Sequence, residues 1–179
     1  MTRYFAFLRG VNVGGHTIKM AELRDGLTDL GFTDVETFIA SGNLIFEGGR
    51  AKDATIEKKV EAHLEATYGF EVPTFVRTDA ELAAVDAHEP FPEWEHSDDF
   101  TYHVGFLRSK ATAKQKAEVE ALSGEVDRLT VHGRELYWMV RGGFSDSKLA
   151  RGNPDRQVGE LTVRNVKTIR RLSDKYLDA

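Results

Sequence analysis

The residues best suited to chemistry begin at Arg9-Gly10-Val11-Asn12-Val13-Gly14-Gly15-His16, with Lys19 close behind. Glycine lets backbone N–H groups approach a ligand, and a helix that starts beyond such a loop presents its positive end, so the pattern suits an anion such as a phosphate. It is not a Walker A loop, because no Gly-Lys-Ser or Gly-Lys-Thr follows, and its glycines lack the dinucleotide-binding spacing. The structural alternative is an unusual turn, for instance a bulge where a strand leaves its sheet. The candidate ligand-binding residues here are Arg9, Asn12, Gly14, Gly15, His16 and Lys19. Ser41 and Asn43, from the turn Ser41-Gly42-Asn43, join them.

A second set is Ser145, Ser147, Lys148, Arg164 and Asn165. From Arg141 to Arg171 there are eight Lys or Arg against three Asp or Glu, in a chain whose formal net charge is -5. Such a local excess attracts phosphate. The competing reading is a solvated helix face with Arg170 and Arg171 exposed and Ser145 as a helix cap. A third set, His88, His96 and His103 with Glu89, Glu93, Glu95, Asp98 and Asp99, has ligand chemistry but no zinc spacing, and is expected to hold no metal. No nucleophile elbow is present, and paired acids for glycoside chemistry are not distinguishable among so many carboxylates. No catalytic residue and no cofactor is named by the sequence.

The elements that must position these residues follow from periodicity. Tyr4–Leu8 reads as a strand, and Met20, Leu23, Leu27 and Leu30 recur at helical spacing before Gly31. Thr37-Phe38-Ile39 and Leu44-Ile45-Phe46 read as a hairpin turning at Ser41-Gly42-Asn43. Ile56, Val60, Leu64 and Tyr68 mark a second helix that Gly69 ends, and Val72–Val76 is extended. Thr78 and Glu81 suit a capping box for a short helix through His88. An acidic connection containing Pro90 and Pro92 follows. The pattern then repeats: a strand at Thr101–Leu107, a helix at Ala113–Leu122, and a hairpin over Leu129–Val140 turning at His132-Gly133-Arg134. A helix from Ser147, an extended Leu161–Val163 and a last helix with Val166, Ile169, Leu172 and Tyr176 inward complete it. Three echoes occur in the same order: Phe7-Leu8-Arg9 with Phe106-Leu107-Arg108, Ser41-Gly42-Asn43 with His132-Gly133-Arg134, and Thr74–Arg77 with Leu161–Arg164.

The expected fold is α+β: two tandem ferredoxin-like β-α-β-β-α-β units with antiparallel sheets, plus a C-terminal helix. The expected divisions are residues 1–78, a connection over 79–100, and residues 101–179. With 179 residues, 41% of them hydrophobic, an ordinary core can be filled. No cysteine is present, which excludes disulfides, thiol catalysis and Cys-ligated metals. No apolar run is long enough to span a bilayer, and a cytoplasmic protein is expected. The negative charge argues against indiscriminate polyanion binding.

Leu8-Arg9-Gly10-Val11-Asn12-Val13-Gly14-Gly15, Met20-Ala21-Glu22-Leu23-Arg24 and Ser41-Gly42-Asn43 resemble hallmarks of the bacterial family known as domain of unknown function 1697. The resemblance continues through Phe70–Pro73, Val76–Thr78, Gly133–Tyr137, Ser147–Leu149 and Thr162–Asn165. It implies a fold and carries no catalytic role. The chain departs from the family pattern in having Val166 where an aromatic residue is usual, and Gly152-Asn153-Pro154 where a helix usually continues.

Three partner classes remain. The leading one is a small anionic ligand held by the Gly-rich loop and by Arg9, Lys148 and Arg164. The others are single-stranded nucleic acid stacked on Tyr4, Phe5, Phe7, Tyr137 and Trp138, and a protein surface, including a second copy. The recognition pattern of RNA-binding sheets is absent, and burial explains those aromatics equally well.

Overall fold

The computed structural model describes residues 1–92, 98–152 and 154–177. The chain divides into two compact units, Met1–Ala83 and Ala84–Ala179, each built on one four-stranded antiparallel sheet.

The first unit runs β1 (Thr2–Leu8), α1 (Met20–Asp29), β2 (Thr33–Phe38), β3 (Asn43–Gly48), α2 (Asp53–Tyr68), β4 (Thr74–Thr78), with strand order β2-β3-β1-β4. Side chains alternate across a strand and recur every three to four residues along a helix. One sheet face therefore sets Tyr4, Ala6, Leu8, Leu44, Phe46 and Val76 in a single core with Leu23, Leu27, Ile56, Val60 and Leu64 of the two helices. Phe5, Phe7, Ile45, Phe75 and Arg77, which alternate with them, are buried too. The hairpin is shifted from its expected place: Ile39 leaves the strand, and Asn43 already belongs to β3. Strand β4 lies at the sheet edge. Glu61 and Glu57, one helical turn apart on α2, accept from the backbone N–H groups of Thr74 (2.8 Å) and Val76 (2.9 Å). Helix α2 thereby blunts an edge that would otherwise offer donors to another strand.

Helix α3 (Asp79–Ala87) spans the division between units. At its start Thr78 N–H donates to Glu81 Oε2 (2.9 Å) and Glu81 N–H to Thr78 Oγ1 (3.4 Å), the reciprocal bonds of a capping box.

The second unit continues β5 (Phe100–Leu107), α4 (Ala113–Glu120), β6 (Asp127–His132), β7 (Glu135–Arg141), a 3₁₀ turn (Phe144–Asp146), α5 (Lys148–Gly152), α6 (Asp155–Val158), β8 (Leu161–Asn165) and α7 (Val166–Tyr176), with strand order β6-β7-β5-β8. Its core joins Leu107, Leu136, Trp138, Val140, Leu129, Val131 and Leu161 of the sheet to Val119 of α4 and Val158 of α6. Helix α7 packs on β5 and β8 and buries Ile169, Leu172 and Tyr176. In place of one long second helix stand the short α5 and α6. Pro154, whose ring cannot continue a helix, lies between them.

The sequence echoes coincide with repeated geometry. Leu8 N–H donates to Gly42 O and Leu107 N–H to Arg134 O, both at 2.8 Å, so the structural counterpart of Gly42 is Arg134, one residue beyond the Gly133 that the turn echo pairs with it. Arg77 lies opposite Phe5 and Arg164 opposite Val104, at matching places in the two sheets. Among the described residues no helix is long and apolar enough to cross a membrane.

Candidate functional site

In the first unit the glycine-rich segment folds into a small reverse turn. Val13 and His16 form an isolated bridge, His16 N–H donates to Val13 O (3.2 Å), and Asn12 N–H donates to His16 O (2.7 Å). Gly14 and Gly15 at its tip have φ of 63° and 89°, the left-handed pair that glycine adopts without steric cost. Residues 12–17 are exposed. Asn12, itself at φ 59°, donates through Nδ2 to Ala40 O (2.8 Å) and accepts at Oδ1 from Ile18 N–H (3.0 Å). Asn43 is buried and donates to Phe38 O and Ser41 Oγ, both at 2.9 Å. Asn12 thus ties the two neighbouring loops together, while Asn43 closes its own turn through Phe38 and Ser41. Gly42 has φ 74°, and a Cβ there would meet Leu8 Cβ at 3.0 Å. The His16 ring lies 4.2 Å from that of Phe70, and Lys19 Nζ is 3.6 Å from the Glu22 carboxylate. Arg9 is half-buried, and its N–H donates to Pro73 O.

In the second unit Ser147 is wholly buried. It accepts from Ala150 N–H (3.1 Å), capping α5, and donates to Asp127 Oδ1 (2.6 Å). Trp138 Nε1–H reaches the same Asp127 oxygen at 2.7 Å. Beside this cluster His103 packs on Phe144, with ring centroids 4.4 Å apart, and its Nε2 lies 3.0 Å from Thr101 Oγ1. Burial pushes the His103 imidazole down to about 4. Lys148 and Ser145 are exposed. Arg164 is 8% exposed and donates to Thr162 Oγ1 (2.9 Å) and Val163 O (3.0 Å); burial lowers its pKa to about 10, so it stays charged at neutral pH. Asn165 caps α7 by accepting from Lys167 N–H at 2.9 Å.

Asn165 also lines a cleft of about 280 Å³ at the head of α7, with Val166, Lys167 and Arg170 on the helix side. Phe100, Thr101 and Tyr102 of β5 and Met139 of β7 form its sheet side, and Phe91 and Asp98 complete it. Phe91 and Tyr102 meet edge to face at 6.3 Å, and the Arg141 guanidinium lies 5.2 Å from the Phe100 ring centre. The arrangement offers cations and the positive end of a helix next to aromatic surface. Of its lining, sequence reasoning named Asn165 as a ligand-binding candidate. Lys167 and Arg170 were contained in the basic excess, with Arg170 weighed as part of a solvated face. Phe91, Phe100 and Tyr102 carried no signal of their own, because nothing local shows that they converge.

Among the described residues no group of three His, Asp or Glu is placed to hold a metal. Glu93, Glu95 and His96 of the third sequence set lie outside the described residues. His88 instead stacks on His132 at 4.4 Å; burial first, and the neighbouring His132 second, lower its pKa. Tyr4, Phe5, Phe7, Tyr137 and Trp138 are each no more than 1% exposed. Stacking bases on them would require surface that this fold does not present.

A family model described as Protein of unknown function (DUF1697) matches residues 1–137. The motifs at Ser147–Leu149 and Thr162–Asn165 lie beyond that stretch. Among solved structures the chain is similar to conserved bacterial protein SP0830 from Streptococcus pneumoniae, at 29% identity and a TM-score of 0.76, over 97% of each chain. No match is found among curated proteins.

Proposed function

The chain belongs to the family Protein of unknown function (DUF1697), and from that premise we propose that it is a binding protein for a small anionic, phosphate-bearing ligand, seated in the cleft at the head of α7. The observation that carries this reading is the convergence of Lys167 and Arg170 with the capped start of α7 on one concave surface. Among the described residues, Asp98 is the sole acidic member of that lining. Backbone N–H groups at a helix start and flexible cations are the standard means of holding a phosphate group. Each unit is read as a ferredoxin-like plan; the strand orders and the helices between strands support this. A second reading places the anion over the Gly14–Gly15 turn near His16 and Lys19. It is favoured by the open space around both glycines, where an added Cβ would meet nothing within 4 Å.

The test is a thermal-shift screen with phosphorylated metabolites at low and moderate salt, run on the wild type and on Lys167→Ala/Arg170→Ala. A ligand present at a hundred times its dissociation constant stabilises by about 2.7 kcal/mol, several degrees for a chain of this size. The reading expects a shift that the double variant loses. A shift that the double variant retains would move the site elsewhere.

A further inference from the structure

Two imidazoles face each other on the second unit. His88 stands just past the end of α3 and His132 at the end of β6; their rings lie 4.4 Å apart and 18° from parallel. The His88 ring also rests on Tyr137 of β7, with centroids 4.7 Å apart. Tyr137 is 1% exposed, so the segment that carries His88 is part of what covers it. His132 is exposed and His88 half-buried, and protons from solvent can reach the pair. Independently of the anion reading, we propose that the His88–His132 stack is a pH-sensitive clasp: it holds the segment after α3 against the β6–β7 hairpin while the rings are neutral and releases it when they take up protons.

Neutral imidazoles stack as other aromatic rings do, whereas two imidazolium charges at this separation repel each other. Histidine is the side chain whose ordinary pKa places that change close to neutral pH. Burial chiefly, and then the facing His132, hold the His88 imidazole below its ordinary 6.5. Among the described residues, Glu135 of β7 favours the protonated ring and Lys116 of α4 opposes it. Lys116 is itself 3.7 Å from Glu120, and with Lys110 it lines a cleft beside His132. Asp86 and Glu89 lie near His88 along the chain, and Arg134 shares the turn with His132. A histidine whose pKa is depressed in place binds its proton more readily once released, so falling pH favours the open segment. The clasp is closed above about pH 6.5 and yields as pH drops below that value.

Ring NMR titration of the full chain, with amide hydrogen exchange normalised for its intrinsic pH dependence, tests this. His88 should titrate below a free histidine, and His132→Gln, which removes the facing charge, should raise its midpoint. The His88 amide donates to Val85 O at 3.3 Å, and its protection should fall severalfold between about pH 7.5 and about pH 5. His88→Phe keeps a ring against Tyr137 without the titrating group, so protection of residue 88 should then stay level over the same range. His103→Gln should leave the His88 midpoint unchanged, which separates the clasp from that more deeply buried imidazole. A His88 midpoint unmoved by His132→Gln would overturn the coupling of the two rings. Protection that stays level in the wild type, or that falls as much in His88→Phe, would overturn the clasp.

Discussion

Asp127 is a carboxylate taken out of water and held by two donors, the Trp138 indole and the Ser147 hydroxyl. Ser147 also caps α5, so one side chain ties the segment after β7 to the sheet. Ser147→Ala removes both bonds at once and should cost about 2–3 kcal/mol in urea unfolding, the sum of a lost cap and a partly unsatisfied buried carboxylate. A loss under about 0.5 kcal/mol would show that water replaces the hydroxyl. His103 makes a separate, pH-dependent contribution. Its folded pKa of about 4 lies below the ordinary 6.5, so between those values the unfolded chain binds the extra proton. Stability from this group is present above about pH 6.5 and is lost as pH falls toward 4, a change on the order of 2–3 kcal/mol. His103→Gln should flatten the pH dependence of unfolding in that window; an unchanged slope would contradict the assignment. Sequence reading picked out Ser147 and His103 by type and could not see these roles. Asp127, Trp138 and Ser147 lie on different elements, and only the packing of β6, β7 and α5 brings them together.

Elements were more legible than the residues they carry. Helices α1, α2 and α7 announce themselves through apolar spacing, and the strands through aromatic and β-branched runs, because these patterns are set by which face is buried. Boundaries failed where a backbone conformation overrides propensity. Ile39 suits a strand by type, yet it sits at φ 53°, outside β2, with 43% of its surface exposed. A β-branched residue pays a steric cost there. Ile39→Asn, which tolerates that conformation, should raise stability by about 0.5–1 kcal/mol, measured as a higher urea midpoint at constant slope; a lower midpoint would mean that the isoleucine side chain makes contacts worth more than the strain. The carboxylate caps on β4 were equally invisible, since Glu57 and Glu61 look like the polar side of an amphipathic helix. Glu57→Ala/Glu61→Ala should destabilise by roughly 2–4 kcal/mol and expose the strand edge, seen as concentration-dependent association in sedimentation. A variant that remains monomeric and as stable as the wild type would show that the caps are incidental.

For the whole molecule, the tandem plan of two α+β units could be read from three short echoes, because equivalent strands end on equivalent residues. The bonds from Leu8 to Gly42 and from Leu107 to Arg134 repeat the strand-to-turn geometry and place the turn echo one residue out of register. The cleft could not be read in the same way. It draws on β5, β7, the start of α7 and the segment before β5, pieces separated by up to about eighty residues, and the local hints are Asn165 and the positive excess of the last third. Glycines stand out in a sequence, but in the fold those at Gly14 and Gly15 close a reverse turn. These two places are far apart in the chain, so their amide signals separate them cleanly. The deciding measurement is an amide chemical-shift titration of the wild type with inorganic phosphate. Saturable changes confined to Phe100–Tyr102 and Asn165–Arg170, absent in Lys167→Ala/Arg170→Ala, are expected. Changes centred on Gly14–Lys19, or scattered without saturation, would contradict the proposed site.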